Sequence, residues 1–169
     1  MDRRHFLATT GLGLPLIGRG ALGAQDPMKP AQPAQVPPEL VKEFVRAGHN
    51  DLQEVQRMLK EHPGLLNAGW DVGGGDFETA LEGAGHVGDR GIAEYLIGQG
   101  ARANIFVLTM LGHTAVVKGL LGAYPHLLRS KGPHGLTLVH HATRGGEPAR
   151  ELLEHIQGLG LTEMKFTLP

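Results

Sequence analysis

A twelve-residue pattern occurs twice in this chain, and the spacing of the copies limits the folds open to it. Val55-Gln-Arg-Met-Leu-Lys-Glu-His-Pro-Gly-Leu-Leu66 and Val117-Lys-Gly-Leu-Leu-Gly-Ala-Tyr-Pro-His-Leu-Leu128 share the Val, an apolar pair, the Pro and the final Leu-Leu. All are displaced by 62 residues, twice 31. Ile92 to Ala101 and Ala149 to Ile156 carry similar paired aliphatics. Leu59, Leu96, Leu121 and Leu153 thus mark four helices at intervals of 37, 25 and 32. Retained helices joined by loops of varying length give such a pattern.

A second helix precedes each of these. Glu39 to Ala47 places Leu40, Val41, Phe44 and Val45 on one stripe and stops at Gly48. Thr79 to His86 and Thr137 to Arg144 begin with a Thr suited to cap a helix, and Ile105 to Leu111 is stopped by Gly112. The unit is helix, turn, helix. Such a pair cannot bury its own apolar face, so neighbours must stack and the stack becomes the core.

These residues resemble the ankyrin repeat, whose unit opens Gly-x-Thr-Pro-Leu-His-x-Ala and closes with an aliphatic helix, Gly-Ala and Asn. Gly135-Leu-Thr-Leu-Val-His-His-Ala142 matches the opening, and Glu78-Thr-Ala-Leu-Glu-Gly-Ala84 matches it more loosely, with Glu82 in the His position. Gly100-Ala101 with Asn104, and Asn67 after Leu65-Leu66, match the closing. The resemblance covers residues 38–160 and implies an all-α, ankyrin-repeat solenoid of about four units with short β-hairpin fingers. One departure is local. Between Gly100 and His113 there is no room for a hairpin, so the third unit should lack its finger, leaving Trp70–Phe77 and Ser130–Leu136 as the long ones.

The first 24 residues read differently. Arg3-Arg4-His5-Phe6-Leu7 precedes a weakly apolar run rich in Gly, Ala and Thr, and it resembles a twin-arginine export signal. The resemblance implies a periplasmic or secreted protein. A linker with regularly spaced prolines occupies 25–37, and a tail occupies 161–169. The chain has no cysteine, which removes disulfides and thiolate chemistry. Its net charge of -1 offers no field for nucleic acid or an anionic membrane surface. Stable membrane insertion is not expected once a signal is removed.

No catalytic residue, cofactor or metal ligand set is expected. Adjacent helical side chains diverge by about 100°, so His140 and His141 cannot share one ion. The resemblance makes His140, with Thr137, a structural residue. Gly73-Gly-Gly75 lacks phosphate-loop spacing and reads as a turn, while Asp71, Asp76, Glu78 and Glu82 read as solvated loop charges. Ser130 has no nucleophile context.

The expected function is protein binding, possible escort or protection of a co-exported partner, through finger tips and first helices. The residues that the repeat pattern leaves free are Trp70, Asp76, Glu78, His86, Val87, His134, Leu136 and Arg144, with Trp70 and Arg144 as anchors. The alternative is a small His-dependent metal-binding protein or hydrolase. The apolar stretch Leu161 to Leu168 adds a further expectation, self-association through the end of the fourth unit.

Overall fold

The computed structural model describes residues 33–168. The twin-arginine segment and most of the proline-spaced linker lie outside the described residues. Within them, α-helices come in consecutive pairs: α1 (Pro38–Ala47) with α2 (Leu52–Glu61), α3 (Ala80–Val87) with α4 (Arg90–Gly98), α5 (Ile105–Met110) with α6 (Thr114–Ala123), and α7 (Leu138–Gly145) with α8 (Arg150–Gly158). The fold is all-α apart from one antiparallel hairpin, β1 (Gly69–Asp71) with β2 (Phe77–Thr79), paired Gly69 to Thr79, Trp70 to Glu78 and Asp71 to Phe77.

Local chemistry explains where the helices begin. The Asp51 side chain accepts from the Glu54 amide at the start of α2, Asp89 from Ile92 at α4, and Asn104 from Phe106 and Val107 at α5. At α3, Thr79 and Glu82 form a capping box. Glu82 also reaches across units, because its Oε1 accepts from Asn104 Nδ2 at 2.8 Å. The residue in the expected His position therefore ties the second pair to the third by a different side chain.

α1 packs on α3, α3 on α5 and α5 on α7, and α3 also packs directly on α7. α5 serves two cores. Val107, Met110 and Leu111 join Phe44, Met58, Leu65, Ile92 and Leu96, while Ile105 and Phe106 join Val117, Leu138, Leu152, Ile156 and Leu161. Close approach at the first joint needs a residue without a side chain: a Cβ on Gly48 would meet the Ala80 backbone at 2.5 Å.

No strand lies between α4 and α5. Ser130–Leu136 departs from the expected second hairpin. It folds as a 3-10 turn over Pro133–Gly135, and Leu136 bridges Lys165 near the end of the chain instead. Pro133 has no N–H to offer a hairpin ladder, which accounts for the difference. The apolar end of the fourth pair is covered by its own chain: Leu161 is fully buried, and Phe166 packs against the second core.

Candidate metal centre

The hairpin places the first functional side chain. Asp71 Oδ1 accepts from the amides of Gly73 and Gly75, and Gly73, Gly74 and Gly75 all have positive φ, so the glycine run is turn geometry and not a phosphate cradle. Strand alternation then sends Phe77 and Glu78 to opposite faces. The outcome inverts the usual order: Phe77 is 62% exposed and Glu78 only 2%. A carboxylate has been taken in among the first helices while an aromatic ring stands in water.

Three imidazoles meet that carboxylate. His49 follows the end of α1, His86 lies in the last turn of α3, and His134 sits in the 3-10 turn before α7. His86 Nδ1 is 3.2 Å from Glu78 Oε1, His134 Nε2 is 3.5 Å from the same oxygen, and His49 Nε2 is 3.6 Å from Glu78 Oε2. Ligand atoms of His49, Glu78 and His86 all lie within 4.8 Å of one another. Metal–nitrogen bonds of about 2.0–2.1 Å in a tetrahedral site separate ligand atoms by about 3.3 Å; His86 Nδ1 and His134 Nε2 stand near that distance from Glu78 Oε1, whereas the His49–Glu78–His86 set as a whole spans up to 4.8 Å and would draw in on binding a cation.

The outer nitrogens show which way the rings are turned. His49 Nδ1 donates to Val45 O at 2.9 Å, and His134 Nδ1 donates to Asp76 Oδ2 at 2.9 Å. Each ring thereby turns its Nε2 toward the Glu78 carboxylate. An acceptor on the outer ring nitrogen is how metal-binding imidazoles are held in orientation. Gly83 makes room for it, since a Cβ there would lie 2.9 Å from His49 Cε1.

Two atoms at the centre are orphaned. Glu78 Oε1 and His86 Nδ1 are buried with no hydrogen-bond partner among the described residues; they face each other without the alignment that a hydrogen bond requires. Burial pushes the Glu78 carboxyl upward, and His49 and His134 offset only part of that. Burial likewise pushes His86 down to about 3, with His49, His134, His141 and His140 adding to the effect. His86 is therefore neutral at pH 7, as a ligand imidazole must be. A cation at the point of convergence would pair the carboxylate and use the lone pairs together.

The residues expected to meet a partner are distributed differently. Glu78 and His86 are buried and offer a partner no surface. Both Asp76 oxygens grip the His134 amide, at 2.9 and 3.1 Å, so Asp76 is not a free loop charge. Trp70 is half-buried against the first core, with Lys42 Nζ 5.4 Å from its ring centroid. Arg144 is exposed, yet its Nε and Nη2 both donate to Val87 O and close the end of α3. Leu136 is half-buried at the bridge to Lys165.

The pair that drew attention in the sequence is committed elsewhere. His140 Nε2 donates to His86 O at 2.9 Å, and the buried His141 Nδ1 donates to Thr137 O at 2.8 Å. The expectation of no metal ligands rested on histidines adjacent in the chain; the converging ones come from three different helix pairs. His49, missed entirely, carries no local signal beyond its place after a helix-ending glycine. No protein-family model matches the sequence, and no curated protein or solved structure matches it either.

Proposed function

We propose that the protein is an exported metal-binding module, an ankyrin-type stack that holds one divalent cation between its helix pairs through His49, Glu78 and His86. The observation that carries the metal reading is the Glu78 carboxylate, 2% exposed, with an orphaned oxygen facing a neutral imidazole. A buried carboxylate oxygen with no aligned hydrogen bond is costly, and a coordinated cation removes that cost. Two imidazoles and one carboxylate favour Zn2+, Co2+, Ni2+ or Cu2+ over Ca2+ and Mg2+, which prefer all-oxygen sites. The paired helices, the single hairpin after the first pair and the strandless link before α5 support the ankyrin-type reading. The Arg3-Arg4-His5-Phe6-Leu7 sequence supports export.

The test is direct. Protein purified without a His-tag, stripped with chelator and dialysed against Zn2+ or Co2+, should retain one equivalent, and His86→Ala should abolish retention. Failure of the parent protein to retain any of the four transition ions would overturn the reading.

A second reading, binding of a protein partner, rests on a separate observation. Val72 and Phe77 are 50% and 62% exposed on the hairpin, and Phe77 borders a groove of about 330 Å³ lined also by Phe106, Lys131 and Leu168. Exposed apolar groups beside a groove suit an interface. Loss of a crosslinked periplasmic partner on Phe77→Ser, with metal retention unchanged, would support it; an unchanged crosslinking pattern would remove it.

A further inference from the structure

Resting on that reading of the His49–Glu78–His86 centre, we propose that the stretch 162–168 is a strap that fixes His134 as the fourth metal ligand, so the end of the chain sets the coordination number and affinity of a site built mostly by the first two helix pairs.

His134 holds an unusual backbone for a residue with a side chain, φ 60° and ψ 15°. Left-handed backbone at a non-glycine residue is unfavourable and persists where its surroundings impose it. Here it is imposed from two sides. On the site side, Asp76 accepts from both the His134 amide and Nδ1. On the other side, the strap binds the residues that flank His134. The Phe166 amide donates to Gly135 O at 2.8 Å, the Thr137 amide donates to Met164 O at 3.1 Å, and Thr137 Oγ1 donates to Glu163 O at 2.5 Å. Lys131 Nζ donates to Thr167 O at 2.7 Å. A side chain at Gly135 would run into Phe166 O, so the strap lies directly against the turn.

The strap also touches the second ligand through one intermediate. Thr137 caps α7, and α7 carries His140, whose Nε2 donates to His86 O. The turn of His134 and the backbone of His86 are thus both referred to the segment that the strap anchors. Without it, His134 keeps only the grip of Asp76 across an exposed loop, and Nε2 loses its fixed distance to Glu78 Oε1. The centre then keeps three ligands and takes water in the fourth position.

The experiment compares the full chain with a variant ending after Leu161, which keeps that fully buried side chain, and with Phe166→Pro, which keeps the strap but deletes the donor to Gly135 O together with the ring packed on the second core. Co2+ absorption reads coordination and chelator competition reads Zn2+ affinity, with thermal melts of the metal-free proteins as the folding control. The full chain should give the intense visible bands of four-coordinate Co2+. The truncated chain should give weaker bands and bind Zn2+ about 10- to 100-fold less tightly. Phe166→Pro should shift in the same direction with its fold retained. His134→Ala should match the truncation, and combining the two should cost no more than either alone. A full chain that binds no metal would overturn the parent reading. A full chain that binds metal while truncation and Phe166→Pro leave affinity and spectrum unchanged, or additive losses in the double variant, would overturn the strap alone.

Discussion

Gly83→Ala separates the proposed metal centre from the fold that carries it. Gly83 is buried inside α3, and a Cβ added there would lie 2.9 Å from His49 Cε1 and 3.0 Å from Nδ1. Ordinary contact begins at 3.4 Å, so the near edge of the imidazole must retreat by about half an ångström. Metal–ligand distances tolerate only about 0.2 Å, so a retreat of that size takes Nε2 out of range unless the whole α1 end moves with it. A displaced ligand of this kind should cost about 10- to 100-fold in affinity, or about 1.4–2.7 kcal/mol. The effect on the metal-free fold runs the other way. Alanine is the better helix former by about 1 kcal/mol, and the atom it meets belongs to a partly exposed ring that can turn outward. The assay is Zn2+ competition against a chromophoric chelator, paired with urea denaturation of the stripped protein. Weaker binding with equal or greater stability is the expected result. Unchanged affinity would refute the placement of His49 in the site, and a parallel loss of stability and affinity would show that the glycine serves packing only.

Three further outcomes follow from the same geometry. Glu78→Gln should abolish Zn2+ retention while the metal-free protein melts at an equal or higher temperature, because a buried carboxylate without a hydrogen-bond partner is removed; a lower melting temperature would show that the carboxylate is paired in the native protein. Glu82→Ala should destabilise the fold by about 1–2 kcal/mol in urea, since it deletes the capping box with Thr79 and the link to Asn104, and a change near zero would refute that accounting. Burial pushes His141 down to about 4, whereas the unfolded chain takes up this proton near pH 6.5. The unfolded state therefore binds more protons in that window, so the His141 contribution is complete above pH 6.5 and falls with pH by about 1.4 kcal/mol per unit toward pH 4, about 3 kcal/mol from this residue, beside the loss that His86, held down to about 3, adds in the same window. The pH dependence of urea midpoints should flatten in His141→Gln, and an unchanged slope would exclude His141 as its source.

The helices were legible because each is specified by residues near in sequence. The repeated Leu pairs, the Thr, Asp and Asn caps and the stopping glycines all act within one or two turns, and the absence of a strand before Ile105 followed from a link too short to hold one. The second finger was only half legible: Pro133 argues against a ladder, but nothing within Ser130–Leu136 reveals that Leu136 bridges Lys165. The centre was hidden for a related reason. His49, His86 and His134 stand 37 and 48 residues apart and occupy different places in their units, so neither a spacing rule nor the repeat register pairs them. Adjacency pointed to His140 and His141, whose ring protons go to backbone carbonyls. Two local signals did exist. Phe77-Glu78-Thr79 follows a glycine turn and leads into a capped helix, which makes it a strand, and a strand that sets an aromatic beside a charge with one face buried must bury one and expose the other. Gly83 weakens a helix that packing alone would fill with alanine, as it does at Ala80 and Ala84 on either side. Each breaks the rule that builds its own element, and both breaks meet at one imidazole and one carboxylate. Residues that violate local preference independently and yet converge in space are better explained by a shared ligand than by two unrelated defects.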